Sequence, residues 1–184
     1  IELLLKESAA KQLLYEIISD FYFYDVDAVF KSLLSESGKE FFNSNFYMIK
    51  DRNELIISKH IFHDSIIINE RTTNVTGLNN IKFSINFSSK VDFKNKCNKR
   101  MHIDYSKLEF PLLIRPWKNG DVFIPLGMKG FKKVSDYFID KKFSLIQKKK
   151  SRLLISNNKI VCIIGERLDD RFKLVQDSKK VYIV

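Results

Sequence analysis

Glycine and proline are scarce in this 184-residue chain, with six of the first and three of the second, and no two glycines are adjacent. Neither a G-x-x-x-x-G-K-S/T phosphate loop nor a G-x-G-x-x-G dinucleotide fingerprint occurs. Nothing resembles a nucleophile elbow or a catalytic triad, so the chain by itself shows no site for covalent chemistry. Only two cysteines are present, Cys97 in a polar lysine-rich stretch and Cys162 inside an apolar run. They make no disulfide framework and read as reduced thiols of a cytoplasmic protein. Long apolar runs are missing as well. The longest, such as "IVCIIG" at 160–165, are strand-sized, against the roughly 18 residues a spanning helix needs, so no membrane partner is expected. Histidine is rare. His60 and His63 form an H-x-x-H pair, but a zinc site needs two more ligands and no cysteine pair lies near; His102 stands alone. No metal site is expected. The start, "IELLLKESAAK", carries charges inside its apolar stretch and lacks the basic opening of a signal peptide. Beginning with Ile1 in what reads as a helix interior, the sequence has the look of an excised piece of a longer protein.

What the chain has in excess is positive charge, unevenly placed. The formal net charge is +10; residues 1–89 hold 9 Lys and Arg against 12 Asp and Glu, and residues 90–184 hold 23 against 10. This asymmetry suggests two modules, the second suited to a polyanion, for which nucleic acid and a membrane surface are both candidates on charge alone. The boundary is expected in the lysine-rich, weakly patterned stretch 88–100, giving a first domain over 1–98 and a basic second domain over 99–184.

Hydrophobic periodicity predicts an amphipathic helix over 2–17, with Leu3, Leu4, Leu14, Ile17 and Ile18 at helical offsets. A second helix is expected over 25–36, capped by Asp25 and stopped by Gly38. The period then changes. Strands are expected within 46–58 around a turn at 50–53, and at 65–69, 81–87, 99–104, 112–115, 152–156, 159–164 and 172–175, with Asn157-Asn158-Lys159 as a hairpin turn. Helices first, then mostly antiparallel strands with one short late amphipathic helix, is an α+β arrangement.

That late helix follows "GDVFIPLGMKGFKKVSDYFIDKK" at 120–142. Phe131, Val134, Tyr137 and Phe138 are read as its apolar stripe, with Lys132 and Lys133 in its first turn. Two lysines at a helix N-terminus, where the free N–H groups are already partly positive, are mildly unfavourable unless an anion such as phosphate sits there. They could equally point into water. Arg115, Lys118, Lys129, Lys141, Lys142 and the run Lys148-Lys149-Lys150 add charge nearby. Trp117, the only tryptophan, could stack on a base or simply pack. In "GERLDDRF" at 165–172, Arg167 and Arg171 alternate with Asp169 and Asp170. They form either a self-contained salt-bridged turn or a pair of arginines oriented toward a phosphate backbone.

Residues 107–142 together with 160–172 resemble the C-terminal domain of the bacterial tRNA(Ile)-lysidine synthetase family. The motifs that carry the resemblance are R-x-W-x-x-G-D-x-F-x-P-x-G-M-x-G-x-K-K-V-S-D-x-F at 115–138 and G-x-R-x-D-D-R-F at 165–172. "GKEFFNSNFYMIKDRNELII" at 38–57 resembles the family's preceding substrate-binding region. The resemblance implies an ATP-dependent ligase that joins the amine of free lysine to C2 of the wobble cytidine in tRNA(Ile) with a CAU anticodon. It also implies that catalysis, ATP and Mg²⁺ belong to an N-terminal ATP-pyrophosphatase domain whose Ser-Gly-Gly-x-Asp-Ser loop is not found here. No cofactor is expected on this chain. It would bind tRNA from the acceptor-stem side through Arg115, Lys118, Lys129, Lys132, Lys133, Lys141, Lys142, Arg167 and Arg171, with Asp121 and Asp136 structural. A homodimer is a further possibility. Two other classes stay open at this point: a stand-alone RNA-binding module, and a protein-interaction domain with a basic face.

Overall fold

The computed structural model describes residues 1–59, 65–75, 81–82, 84–87 and 100–184. His60, His63, Cys97 and the boundary expected at 98/99 lie outside the described residues. The chain divides into two compact units, residues 1–62 with 143–150, and residues 63–142 with 151–184.

In the first unit the N-terminal apolar pattern forms two helices rather than one, α1 (Glu2–Leu5) and α2 (Ala10–Ser19), followed by α3 (Val26–Leu33). The buried stripe of α2 is Ala10, Leu14 and Ile18, spaced four apart, while Leu3 and Ile17 stay exposed. Asp25 caps α3 as its residue type predicts, its Oδ1 accepting from the Ala28 N–H at 3.0 Å. The helix ends earlier than expected, at Leu33. Gly38 instead shapes the entry to the sheet, with φ +111° and its N–H donating to the Lys50 carbonyl. Strands β1 (Glu40–Phe42), β2 (Phe46–Asp51) and β3 (Glu54–Lys59) form an antiparallel sheet in that order, with a turn of only Arg52 and Asn53 between β2 and β3. Leu14, Ile18, Phe23, Val29, Leu33 and Met48 make the core where helices meet sheet. The helix Leu145–Lys150, read from sequence as a charge run, joins this unit. Its Leu145 N–H donates to Asp51 Oδ2 at 2.8 Å, and Lys149 pairs with Glu40 at 2.6 Å.

The second unit is mostly antiparallel strand. Its elements are β4 (Ile66–Ile68), β5 (Asn74–Val75), β6 (Ile81–Lys82), β7 (Ser84–Phe87), β8 (His102–Asp104), β9 (Leu112–Pro116), β10 (Val122–Phe123), β11 (Lys132–Lys133), helix α4 (Val134–Asp140), β12 (Arg152–Ser156), β13 (Lys159–Ile163), β14 (Arg167–Leu168) and β15 (Lys180–Ile183). A five-stranded sheet runs β14-β13-β12-β9-β4, and a three-stranded sheet runs β7-β15-β8. Every residue of β12 is buried, as befits a central strand covered on both faces. Ile68, Leu112, Ile114, Leu154 and Val161 of the larger sheet share one core with Ile103 and Tyr182 of the smaller. Asn157 and Asn158 take φ of 43° and 58° between β12 and β13, the left-handed pair a tight hairpin demands and asparagine tolerates. The strand expected at 172–175 is absent. Asp169 accepts from the Arg171 N–H there and caps a short 3₁₀ turn, Asp170–Phe172, while the last strand forms at 180–183. Cys162 is a free, buried thiol whose pKa is pushed well up by burial. The class is α+β. Among the described residues no helix is long and apolar enough to cross a membrane.

Candidate nucleic-acid interface

The loop between β10 and β11 is where the two quoted motifs of the second unit meet. Asp169, fully buried, accepts the Ile124 N–H on Oδ2 at 2.8 Å. Asp170 accepts the Gly127 N–H at 2.9 Å, and Arg167 donates to the Leu126 carbonyl. Backbone bonds reinforce the contact: Leu126 N–H to Leu168 carbonyl at 2.9 Å, and Asp170 N–H to Ile124 carbonyl at 2.7 Å. The segment 124–127 is thus held by carboxylates and a guanidinium supplied some 45 residues later.

The sequence offers nine cations as tRNA contacts, and the structure sorts them into two groups. Four are engaged inside the unit. Arg115 grips Asp121 in a two-pronged pair, Nη1 to Oδ2 at 2.8 Å and Nη2 to Oδ1 at 2.7 Å. Arg167 holds Leu126, and Arg171 pairs with Asp169 through Nε at 2.9 Å and Nη2 at 2.7 Å. Lys132 reaches Asp140 at the far end of α4. The other five, Lys118, Lys129, Lys133, Lys141 and Lys142, are exposed and take part in no ion pair among the described residues. Within "GERLDDRF", Asp169 thus fixes Arg171, while Arg167 is engaged by a backbone carbonyl and Asp170 pairs with Lys173 at 2.9 Å.

Lys132 and Lys133 do not lie in the first turn of the helix. They form β11, paired with β10 so that Val122 faces Lys133 and Phe123 faces Lys132, and α4 begins after them at Val134. The stripe of α4 is Val134, Tyr137 and Phe138, all buried. Phe131 lies outside the helix and is 65% exposed. Trp117 packs edge-on against Phe138, with centroids 5.4 Å apart. Asp136 sits in the first turn of α4 and accepts from the Ser135 hydroxyl at 3.1 Å. His102 lies in β8. Among the described residues no three His, Cys, Asp or Glu side chains are placed to share a metal ion.

Asp121 organises the turn before β10. Besides Arg115 it accepts the Lys118 N–H at 2.6 Å, and its own carbonyl takes the Val134 N–H at 2.9 Å. Burial works to raise its carboxyl, but the bonds from Arg115 and Lys118 outweigh that and hold it below the usual range. Asp104, 2% exposed, is likewise opposed by burial and held low by Ser178 and Ser106. A carboxyl lowered on folding adds stability above its unfolded value, and that contribution is lost as pH falls through the folded value. The denaturation midpoint should therefore hold steady at neutral pH and decline below about pH 4. Asp104→Asn and Asp121→Asn should each lower the neutral midpoint and flatten the acid decline. Urea titrations at pH 7 and pH 3 read both effects.

Residues 1–60 match the model of the TilS substrate binding domain. The tRNA(Ile)-lysidine synthase of Parabacteroides distasonis is 41% identical over 98% of this chain and 42% of its own length. That of Bacteroides thetaiotaomicron is 32% identical over 100% of this chain and 41% of its own length. Among solved structures, one described as the TilS C-terminal domain is similar at a TM-score of 0.49 and 15% identity, covering 64% of this chain and 86% of that one. The chain spans about 42% of the length of the first of these relatives. By sequence, along nearly its whole extent, the chain is similar to tRNA(Ile)-lysidine synthases.

Proposed function

We propose that this chain is the tRNA-handling part of a ligase that uses ATP to join free lysine to C2 of the wobble cytidine in tRNA(Ile) with a CAU anticodon. ATP, Mg²⁺ and lysine would be held by a part of the enzyme outside this chain. The task of these residues is to bind and orient tRNA from the acceptor-stem side. The observation that carries the reading is the set of five exposed lysines, 118, 129, 133, 141 and 142, in no ion pair among the described residues, while Arg115, Arg167 and Arg171 are engaged inside the unit, in a chain similar to this family along nearly its whole length. An A-form stem offers phosphates and 2′-hydroxyls over a shallow minor groove, so flexible ammonium groups on a firm scaffold suit it better than a base-reading helix. Such contacts bind by position and charge, not by sequence.

The test is a titration of this chain with unmodified tRNA(Ile) bearing CAU, and with elongator methionine tRNA, at several salt concentrations. Five phosphate contacts predict a slope of log affinity against log salt of about −3 to −5. Equal affinity for the two tRNAs would make this part a grip that leaves discrimination to the rest of the enzyme. A preference for tRNA(Ile) would place part of the selection here. A flat salt dependence, or no binding to either, overturns the reading.

A further inference from the structure

The loop tip beyond the pinned segment 124–127 carries a feature that a phosphate grip does not need. Phe131 stands 65% exposed between Gly130 and Lys132, and the guanidinium of Arg171 lies over its ring at 5.5 Å from the centroid. Arg171 is itself fixed by the fully buried Asp169 through both Nε and Nη2. The ring therefore rests on a charged plane anchored to the protein core. Around it, Lys129 and Lys133 are exposed and in no ion pair among the described residues, while Lys132, between Phe131 and Lys133, is drawn away to Asp140. Exposure alternates through 131, 132 and 133. That alternation is the period of an extended strand and puts Phe131 and Lys133 on the same outward side.

A large exposed aromatic with fixed cationic backing and lysines on both sides in sequence has the chemistry of a base-stacking platform. Aromatic rings and arginine planes are what unpaired RNA bases stack upon, and neighbouring ammonium groups take the flanking phosphates. Within a paired stem each base face is covered by its neighbours, and only the end pair offers a face to such a ring. We infer that Phe131, backed by Arg171, stacks on one unpaired RNA nucleotide whose neighbouring phosphates meet Lys129 and Lys133. This inference rests on the tRNA-binding reading above and adds to it a contact with a single-stranded nucleotide. Phe131 is in this sense a binding and positioning residue, not a catalytic one.

Two RNA hairpins with the same stem separate the two ideas. One is blunt; the other carries a short unpaired 3′ tail containing 2-aminopurine. The wild-type chain should bind the tailed hairpin more tightly and quench the 2-aminopurine fluorescence. Phe131→Ala should weaken the tailed hairpin by at least about fivefold, abolish the quenching and leave the blunt hairpin unchanged. Phe131→Trp should restore both affinity and quenching. Lys133→Ala, by contrast, should weaken both hairpins and reduce the salt slope by about 1. If the wild type binds both hairpins equally, or Phe131→Ala weakens both alike or neither, the stacking site is wrong and the phosphate grip survives. If the wild type binds neither hairpin, the ring belongs to another kind of surface, and the stacking site falls together with the RNA reading.

Discussion

Asp169→Ala should lower the stability of the second unit by about 3 kcal/mol, read as a shifted urea midpoint at unchanged slope. The residue is 0% exposed and serves four donors: the Ile124 N–H, the Arg171 N–H, and Nε and Nη2 of the Arg171 guanidinium. Its removal strands a partly buried amide and leaves an arginine without its counter-charge. The Arg171 side chain keeps 32% of its surface in water, which places the cost at the low end of the range for broken buried pairs. Asp169→Asn keeps one oxygen for Ile124 but cannot meet both guanidinium donors, so a loss of about 1–2 kcal/mol is expected. Amide exchange at Ile124 and Gly127 should quicken in Asp169→Ala before global unfolding does. An unchanged midpoint, with exchange at those amides also unchanged, would mean the carboxylate does not hold the loop.

The second large effect is on binding. Replacing Lys118, Lys129, Lys133, Lys141 and Lys142 together by Ala removes exposed cations that are in no ion pair among the described residues, while leaving every hydrogen bond described above in place. Folding stability should change by less than about 1 kcal/mol, since exposed lysines contribute little to it. Affinity for tRNA should collapse, and the slope of log affinity against log salt should flatten by about 3 to 5. Substituting Arg115 should have the opposite profile, with lost stability from the broken pair to Asp121 and little direct change in the salt slope. If the five-lysine variant binds tRNA with the parent's salt slope, the polyanion surface lies elsewhere on the chain.

The contrast between those two variants marks where sequence reading succeeds and where it stops. The Asp25 cap, the Asn157-Asn158 hairpin and the buried stripe of Val134, Tyr137 and Phe138 were legible because each is a local matter of side-chain type and spacing. The break between α1 and α2 was not, since one continuous apolar pattern covers both. Lys132 and Lys133 looked like a helix start because their pairing partners, Val122 and Phe123, come about ten residues earlier and leave no periodic trace. Arg115, Arg167 and Arg171 could not be told from free cations by composition. An arginine reads the same whether it faces water or grips a carboxylate, and only the fold reveals Asp121 and Asp169 as partners. Phe131 was absorbed into the stripe of α4 because its offset from Val134 suits a helix that in fact starts after it. The aromatic flanked by Gly130 and Lys132 was the available signal for its exposure.

The three-stranded sheet of the second unit has a consequence for how the molecule is made. Its middle strand, β15, is Lys180–Ile183, while the strands on either side, β7 and β8, come from Ser84–Phe87 and His102–Asp104. A ribosome delivers the two outer strands long before the one that joins them. Until β15 emerges, the backbone donors and acceptors of β8 that face it have no partner in the sheet, and Tyr182, 0% exposed in the finished core, has yet to fill its place against Phe110. A nascent chain stalled before residue 180 thus carries an open sheet edge of the kind that invites pairing with other chains. The second unit completes itself only after the chain through residue 183 has left the ribosome.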